Sequence, residues 1–568
     1  MHSGRQARRA GRATFAWGLA LLLGGCAASS LVLAPESPQT PWRGEQADAA
    51  PAVAQGSAPP SSAATATPPP AHAEAARVIP ADPRAAAVPV SVRGPDFGLT
   101  PNPALPISIA RPDIDPRHVH TLPELIDIAQ MANPVTRGAW ERAREAALAV
   151  GAARATFLPV LTADVIAGYQ RSTQAVPGLS VDSSTQAGTD VLQGGVQSSI
   201  IVPGGTVTVQ GREFIPSLTV KWLLFDFGRR EAVAESARQL SIAANVTFNG
   251  THQKLIFDVS KAFFALTATR VQVRVGREAV QSTQLVHEAA KARLARGIGT
   301  AIEVAQARQQ VAQAQLQLTQ AEGQARDTYH ALLEAMGVSP TLVIQVQDIS
   351  SRPLPRTFPA DLNRMIEASL RRRPDVQVAF ARVAASRQNV ARAQADFMPQ
   401  VALLGTVNHN WSSLSVRDSR LPIPANVNVS SPNMSLLVGL TVPIYDGGVR
   451  DAQLRAAEAR VAATEQDLRV IENAAARQIV LAYDVLRTSL AAHAAASELT
   501  AAAQTTSAAT LDYYKQGLGT ITEATIAQNG LMQARLAKAK AHSDALIAAA
   551  TIAFATGTLT NRTSPSRL

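Results

Sequence analysis

The side chains that could do chemistry are few in this chain and lie far apart. His118 and His120 are the nearest pair among ten histidines, a spacing that could offer two imidazoles to a metal ion. No carboxylate or cysteine cluster accompanies them in the sequence, so they read as a solvated segment ahead of a helix, with no metal and no cofactor expected. Asp226 and Asp446 each follow an apolar run and precede a helical stretch, where a carboxylate caps the helix and meets the positive end of its dipole. Gly228 and Gly448 belong to the same two junctions. Glu303 and Glu523 each stand three residues after a threonine, the spacing of a capping box. No phosphate loop or nucleophile elbow occurs. The methionines are scattered and give no support to a copper- or silver-handling role. The expectation is a protein that is not an enzyme.

Cys26, the only cysteine, excludes an intrachain disulfide. It ends a basic start and an apolar run, Phe15 to Leu23, followed by Gly24 and Gly25, which together have the three parts of a secretory leader. The stretch Leu23-Gly24-Gly25-Cys26 resembles a lipobox, which implies cleavage after residue 25 and a covalent lipid on Cys26. Ala27 stands where that signal class carries Asp for inner-membrane retention, so the outer membrane is the expected destination. The position at the end of a leader outweighs a reading of Cys26 as a small buried hydrophobe. The formal charge of +10 falls to about +6 without Arg5, Arg8, Arg9 and Arg12, with no dense basic run, and nucleic acid is not an expected partner. No stretch is long and apolar enough for a spanning helix.

The elements that would position these residues follow from composition and period. An alanine-rich chain with few aromatics suits long helices packed through small side chains. Residues 26–106 are rich in Pro, Ala, Ser and Thr and read as an extended, lipid-anchored tether. Helical spacing begins at Leu122, Leu125, Ile126 and Ala129, runs to Asn133-Pro134, and continues to Pro159. The period then changes to two: Leu161, Ala163, Val165, Ala167 and Tyr169 alternate with Thr162, Asp164 and Gln170, and after a long loop Leu218, Val220, Trp222 and Leu224 alternate with Ser217, Thr219 and Lys221. Such strands have bilayer-crossing length, with Tyr169, Trp222 and Phe225 near their ends as in an aromatic girdle. No proline occurs from Ser217 through Ser339 or from Ile444 through Ser564, which predicts long uninterrupted helices. A helix from Arg229 to Arg296 would extend about 100 Å.

The chain repeats itself. Arg296-Gly297-Ile-Gly299-Thr300-Ala-Ile-Glu303 recurs 220 residues later as Gln516-Gly517-Leu-Gly519-Thr520-Ile-Thr-Glu523, and Asp226-Phe-Gly228 recurs as Asp446-Gly-Gly448 at the same offset. Pro134 and Pro374, Pro159 and Pro399, and Leu122 and Leu362 stand 240 apart, so the two copies differ chiefly in the loop of the first strand pair. The predicted layout is a leader (1–25), the tether (26–106), repeat one (107–350; hairpin about 159–226, turn at 296–300), repeat two (351–560; hairpin about 399–446, turn at 516–520) and a tail (561–568). Each turn reads as helix, glycine in left-handed backbone, capping box, helix.

The order and doubled spacing of Asn133-Pro134 and Arg373-Pro374, Pro159 and Pro399, Asp226-Phe227-Gly228 and Asp446-Gly447-Gly448, and the twin Gly-x-Gly-Thr turns resemble the TolC family of outer-membrane efflux and secretion channels across nearly the whole mature chain. The resemblance implies an α+β fold: a homotrimer in which each protomer gives four strands to one twelve-stranded outer-membrane barrel, continued by a periplasmic helical tube. It also implies a passive exit duct working with a membrane-fusion adaptor and an inner-membrane transporter, with Cys26 placing the chain among the lipid-anchored members. Carried over by position, Arg296, Gly297, Gly299, Thr300, Gln516, Gly517, Gly519 and Thr520 would be adaptor-docking tips. Glu523 would be the first position of an acidic gate ring whose second position is Ile526 here. The plain reading of Glu523 is completion of the capping box with Thr520, as for Glu303 with Thr300, and the two roles are compatible. The alternative class is a pore-free periplasmic coiled-coil lipoprotein, an adaptor or spacer, which would have no need of four amphipathic strands. Which substrate is exported is not written in these residues.

Overall fold

A computed structural model describes residues 31–43, 99–106, 110–182, 199–355, 361–420 and 425–559. The predicted leader and most of the tether, Cys26 included, lie outside the described residues, as does the whole of the predicted tail. By contact the chain divides into one unit of residues 1–42 with 110–568 and a second of 43–109. In the second, a turn is held by Asn102, whose side-chain oxygen accepts from Ala104 N and whose carbonyl accepts from Leu105 N.

In the first unit the chain runs β1 (Val119–His120), α1 (Leu122–Ala132), α2 (Pro134–Ala155), β2 (Val160–Val176), β3 (Leu179–Asp182), β4 (Ser199–Val202), β5 (Gly205–Phe225), α3 (Arg229–Ala295), α4 (Ala301–Met336), β6 (Gln345–Val346), α5 (Leu362–Leu370), α6 (Pro374–Ala395), β7 (Gln400–Asp418), β8 (Ala425–Thr441), α7 (Val449–Gln516) and α8 (Ile521–Ala555). The two proline-free stretches hold helices of 67 and 68 residues, each about 100 Å long. Their antiparallel partners α4 and α8 have 36 and 35 residues. Small side chains set the packing: Ala139, Ala143 and Ala147 form a buried stripe on α2, and Ala541, Ala545 and Ala548 another on α8. At Gly276 a Cβ would sit 3.3 Å from Leu318, so α3 and α4 approach more closely there than an alanine would allow without adjustment.

The densest core is a belt midway along α3. Leu255, Ile256, Val259, Phe263, Phe264 and Leu266 meet Leu125 and Ile126 of α1, Leu332, Leu333 and Met336 of α4, and Leu546 and Ala550 of α8. Both predicted proline junctions dock here or beside it. Asn133 accepts from Val135 N and donates to Ala335 O. Arg373, buried, donates to Ala555 O, Gln478 and Asp375.

Residues 31–42, expected to be part of a free tether, are folded against the helices. Asn245 donates to Leu33 O, Trp140 Nε1 donates to Pro35 O at 2.9 Å, and Asn249 clamps the Trp42 backbone from both sides, accepting from its N–H and donating to its carbonyl. Composition concealed this because the segment contributes backbone carbonyls, which any residue type supplies. The segment's partners are polar side chains more than 100 residues away.

Candidate functional site

Strands β2, β5, β7 and β8 form one antiparallel sheet in the order β2-β5-β7-β8. They have 17, 21, 19 and 17 residues, longer than the alternation alone suggested and longer than a bilayer crossing requires. The register carries one periodicity across all four. Leu161 pairs with Val220, Val220 with Gly405 and Gly405 with Leu436; Ala163, Leu218, Val407 and Met434 line up in the next row, and Trp222, Leu403 and Val438 in another. Rows of the opposite parity hold Thr162, Thr219, Thr406 and Ser435, then Asp164, Ser217, Asn408 and Asn433. Successive side chains of a strand point to opposite faces, so one face of the sheet is an apolar band and the other mostly polar.

Aromatic rings bound the apolar band. Trp222 lies at one end, its Nε1 donating to Phe157 O at 2.8 Å. At the other, Phe214 stacks on Trp411, its partner in the register, with ring centroids 5.7 Å apart. The eight residue steps from Phe214 to Trp222 span about 26 Å of strand, comparable with the apolar band of an outer-membrane barrel before tilt is allowed for. Phe214 and Trp411 were missed in the sequence because the Ser/Thr-rich surroundings hid the alternation. Among the described residues both outer strands leave a long edge without a pairing partner, and Val165, Ile166, Met434, Leu436 and Val438 on them are exposed.

Each inner end of the sheet turns into a 100 Å helix through the same device. Asp226 Oδ2 accepts from Arg230 N and from Arg230 Nε, both at 3.0 Å. Asp446 Oδ2 accepts from Arg450 N at 3.0 Å and Arg450 Nε at 2.7 Å, while its other oxygen accepts from Gly448 N. The residues occupying the helix caps are Gly228 and Gly448, both in left-handed backbone at φ +89°; the aspartates act from two residues further back. Arg450 holds the Asp446 carboxyl below its usual range. The arginines were not singled out in the sequence, although Asp-x-Gly-x-Arg in both copies at the 220-residue offset was there to be read. At Phe227 the chain holds a non-glycine residue at φ +51°, where the second copy has Gly447.

The two turns lie side by side. Each helix ends in a Schellman pattern: Gly297 N donates to Leu294 O and Ile298 N to Arg293 O, and Gly517 N donates to Tyr514 O and Leu518 N to Tyr513 O. Gly297 and Gly517 take left-handed backbone. Gly299 and Gly519 are needed for space, since a Cβ would meet the Arg293 and Tyr513 Cβ atoms at 3.0 and 3.3 Å. Thr520 and Glu523 make the full capping box, with Glu523 N donating to Thr520 Oγ1 at 3.2 Å and Thr520 N to Glu523 Oε2 at 3.0 Å. The first turn departs from expectation. Thr300 accepts from Glu303 N, but Glu303 turns toward Arg293, its Oε2 4.0 Å from Nε, so only half of the box forms. Arg293 is the reason, and it also joins the turns: it donates to Ile298 O of its own turn and to Tyr514 O across the gap, and its guanidinium lies over the Tyr514 ring. Tyr514 is 1% exposed and anchors a cluster with Val286, Ala290, Ala307, Ile521 and Ala524. Burial, then the nearby Glu303 carboxylate, raises the Tyr514 hydroxyl above its ordinary pKa. Ile298, Ile302, Leu518 (75% exposed) and Ile526 stand out into solvent around these turns. Arg296 caps α3 and Gln516 ends α7.

His118 and His120 also differ from expectation. Glu124 folds back from the first turn of α1 to within 3.2 Å of His118 Nε2 and 3.8 Å of His120 Nδ1. The carboxylate absent from the linear neighbourhood is supplied by the helix turn.

A two-faced sheet with aromatic margins and bare edges, carried on paired 100 Å helices, defines a subunit of an outer-membrane channel. Among the described residues no helix is long and apolar enough to cross a membrane. The chain belongs to the outer membrane efflux protein family, whose model matches residues 125–338 and 365–558. It is 27% identical over 416 residues to Protein CyaE of Bordetella pertussis, covering 72% of this chain and 78% of that one. To the probable outer membrane lipoprotein SilC of Salmonella typhimurium it is 23% identical over 250 residues, 44% of this chain and about half (51%) of SilC. The solved outer membrane protein VceC of Vibrio cholerae has the same fold, with a TM-score of 0.58 at 19% identity over 77% of this chain and 96% of that one.

Proposed function

We propose that this chain is one protomer of a homotrimeric outer-membrane exit duct, in which three copies each contribute β2, β5, β7 and β8 to a twelve-stranded barrel and the tandem long hairpins form its periplasmic tube. The observation that carries this reading is the register-consistent sheet with an apolar face, a polar face and two unpaired edges. In hydrocarbon each unpaired backbone group costs several kcal/mol, so about four strands are stable there only when further copies close the ring. The polar face then lines water and the apolar face meets lipid. A pore-free periplasmic spacer would leave both faces and both edges without purpose. The duct is passive: an inner-membrane transporter supplies the energy and a periplasmic membrane-fusion adaptor docks at the turns, where exposed Ile298, Ile302 and Leu518 offer apolar contacts.

Cys26 carries the lipid in this reading, and the similarity to SilC, a probable outer membrane lipoprotein, supports it.

Purified protein of trimeric mass, placed in planar lipid bilayers, is expected to give discrete ion conductance; trimer without conductance would overturn the duct. In the same assay Glu523→Gln separates gate from cap. Glutamine can still accept from Thr520 N, so stability is expected to change by less than about 0.5 kcal/mol. If Glu523 contributes charge at the entrance, conductance rises or its cation dependence shifts, because carboxylates near a pore axis attract cations and hinder anions. Unchanged currents would leave Glu523 as a cap alone.

A further inference from the structure

The short parallel pair β1–β6 fixes a constellation that the duct does not use. Val119 pairs with Gln345 and His120 with Val346, and Gln347 N donates to His120 O at 3.0 Å, so His120 is held in extended form, while His118 ends a turn in which its N–H donates to Asp115 O. The His118 and His120 rings meet edge to face with centroids 4.7 Å apart. Glu124 arrives from α1 because its Oε2 accepts from Thr121 N at 2.9 Å.

We propose that His118, His120 and Glu124 form a binding site for a divalent transition-metal ion of the zinc class. One donor atom from each residue lies within 4.8 Å of the others. In a tetrahedral site with metal–ligand bonds of about 2.0–2.1 Å, neighbouring donors stand about 3.3 Å apart. Glu124 is already 3.2 Å from His118 and 3.8 Å from His120, and the two imidazole donors lie within 4.8 Å of each other, so closure draws the rings together by at most about 1.5 Å by that standard. Two imidazoles with one carboxylate are a donor set for zinc, nickel or copper rather than for magnesium or calcium, which prefer oxygen ligands.

The site is also built rather than accidental. His120 is 6% exposed and held by the strand pairing, with its Nδ1 turned toward Glu124. The half-exposed His118 and Glu124 close the other side. Ala110–Asp115, with both histidines and Met131, line an open hollow of about 620 Å³ through which an ion and a completing water can enter, its wall carrying Arg111 against Asp113 and Asp115. A metal there would tie the strand leading into the helices to the first turn of α1, against the main core belt.

The test uses full-length protein in detergent, purified without a histidine tag and stripped with chelator, titrated calorimetrically with zinc chloride and spectroscopically with cobalt chloride. One zinc per chain is expected to bind saturably, and cobalt to give the visible absorption of a low-symmetry protein site. Loss of groups outside a metal's own ligands commonly weakens binding about 10–100-fold, and His118→Ala, His120→Ala and Glu124→Gln are each expected to weaken it by at least as much. Glu124→Gln retains an acceptor for Thr121 N, so its metal-free melting temperature should match the parent while the rise on adding zinc is lost. Absence of saturable binding, or binding of equal affinity in the His118→Ala/His120→Ala double variant, overturns the site. Conductance of the metal-free protein is a separate readout, and its presence or absence says nothing for or against the metal.

Discussion

Arg230→Ala is expected to destabilise the protein by about 3–5 kcal/mol, the penalty for leaving a buried carboxylate without its countercharge. Arg230 is 8% exposed and Asp226 4%. Besides Asp226, the guanidinium donates to Leu223 O at 2.6 Å, Leu224 O at 3.3 Å and Thr156 O at 3.2 Å, and lies over the Phe157 ring. One side chain thus joins the end of α2, the end of β5 and the start of α3. Alanine strands the charge on Asp226 and leaves three carbonyls to find other donors. Arg450 provides the internal comparison. It pairs with Asp446 and donates to Pro443 O, but Asp446 is nearly a third exposed and Phe397 is further from the guanidinium. Water replaces much of what Arg450→Ala removes, and the expected loss is clearly smaller than for Arg230→Ala. Protease resistance after graded heating of membrane-extracted protein measures both. Equal losses in the two variants would refute the assignment of the larger effect to burial. Asp226→Asn combined with Arg230→Met should recover part of the stability, because removing both charges removes the stranded one.

How far the residues themselves disclosed this molecule depends on whether the responsible physics was local. Helix length was legible because proline is the strongest interior breaker and is missing from both long segments; the apolar sides of β2 and β5 were legible because a period of two needs no partner to be recognised. The turns were legible because left-handed glycine and Thr-x-x-Glu are local signals. What remained hidden was set by contacts distant in sequence. Arg293 reaches Tyr514 over 221 positions, Asn249 reaches Trp42 over 207, and Phe214 meets Trp411 only after β5 and β7 pair. The half-formed box at Glu303 has the same origin: Thr300 and Glu303 are spaced correctly, and a guanidinium from the preceding helix competes for the carboxylate. Glu124 shows the intermediate case, six residues from His118 in sequence and brought beside it by one helix turn.

Arg293→Ala is expected to loosen the paired turns and raise channel conductance while leaving total helix content unchanged. Arg293 Nη1 donates to Tyr514 O at 3.0 Å, a carbonyl in the last turn of α7, and Nη2 donates to Ile298 O at 3.2 Å. Tyr514 O already accepts from Gly517 N within its own turn, and this arginine adds a second hydrogen bond to the same carbonyl from the other turn. It is the polar tie across the α3–α4 and α7–α8 turns, laid over the Tyr514 ring that fills the apolar cluster beneath. Two hydrogen bonds and a cation–π contact, partly sheltered, set a local loss of about 1–3 kcal/mol. That is small against the rest of the long helices and large for a two-turn tip, so the effect should be confined to the tip. Two comparisons separate the tie from bulk stability. Tyr514→Phe keeps the ring and its packing and removes a hydroxyl that has no partner in the protein, so conductance should stay at the parent level. Glu303→Gln removes a charge 4.0 Å from Arg293 while leaving the threonine cap on the backbone, and should have a smaller effect than Arg293→Ala. Protease nicking near Gly297 and Gly517 in the Arg293 variant, together with raised current, would mark the turns as a closure held by this contact. Raised nicking without any change in current would show that the tie fixes the tips for docking and has no part in closing the duct.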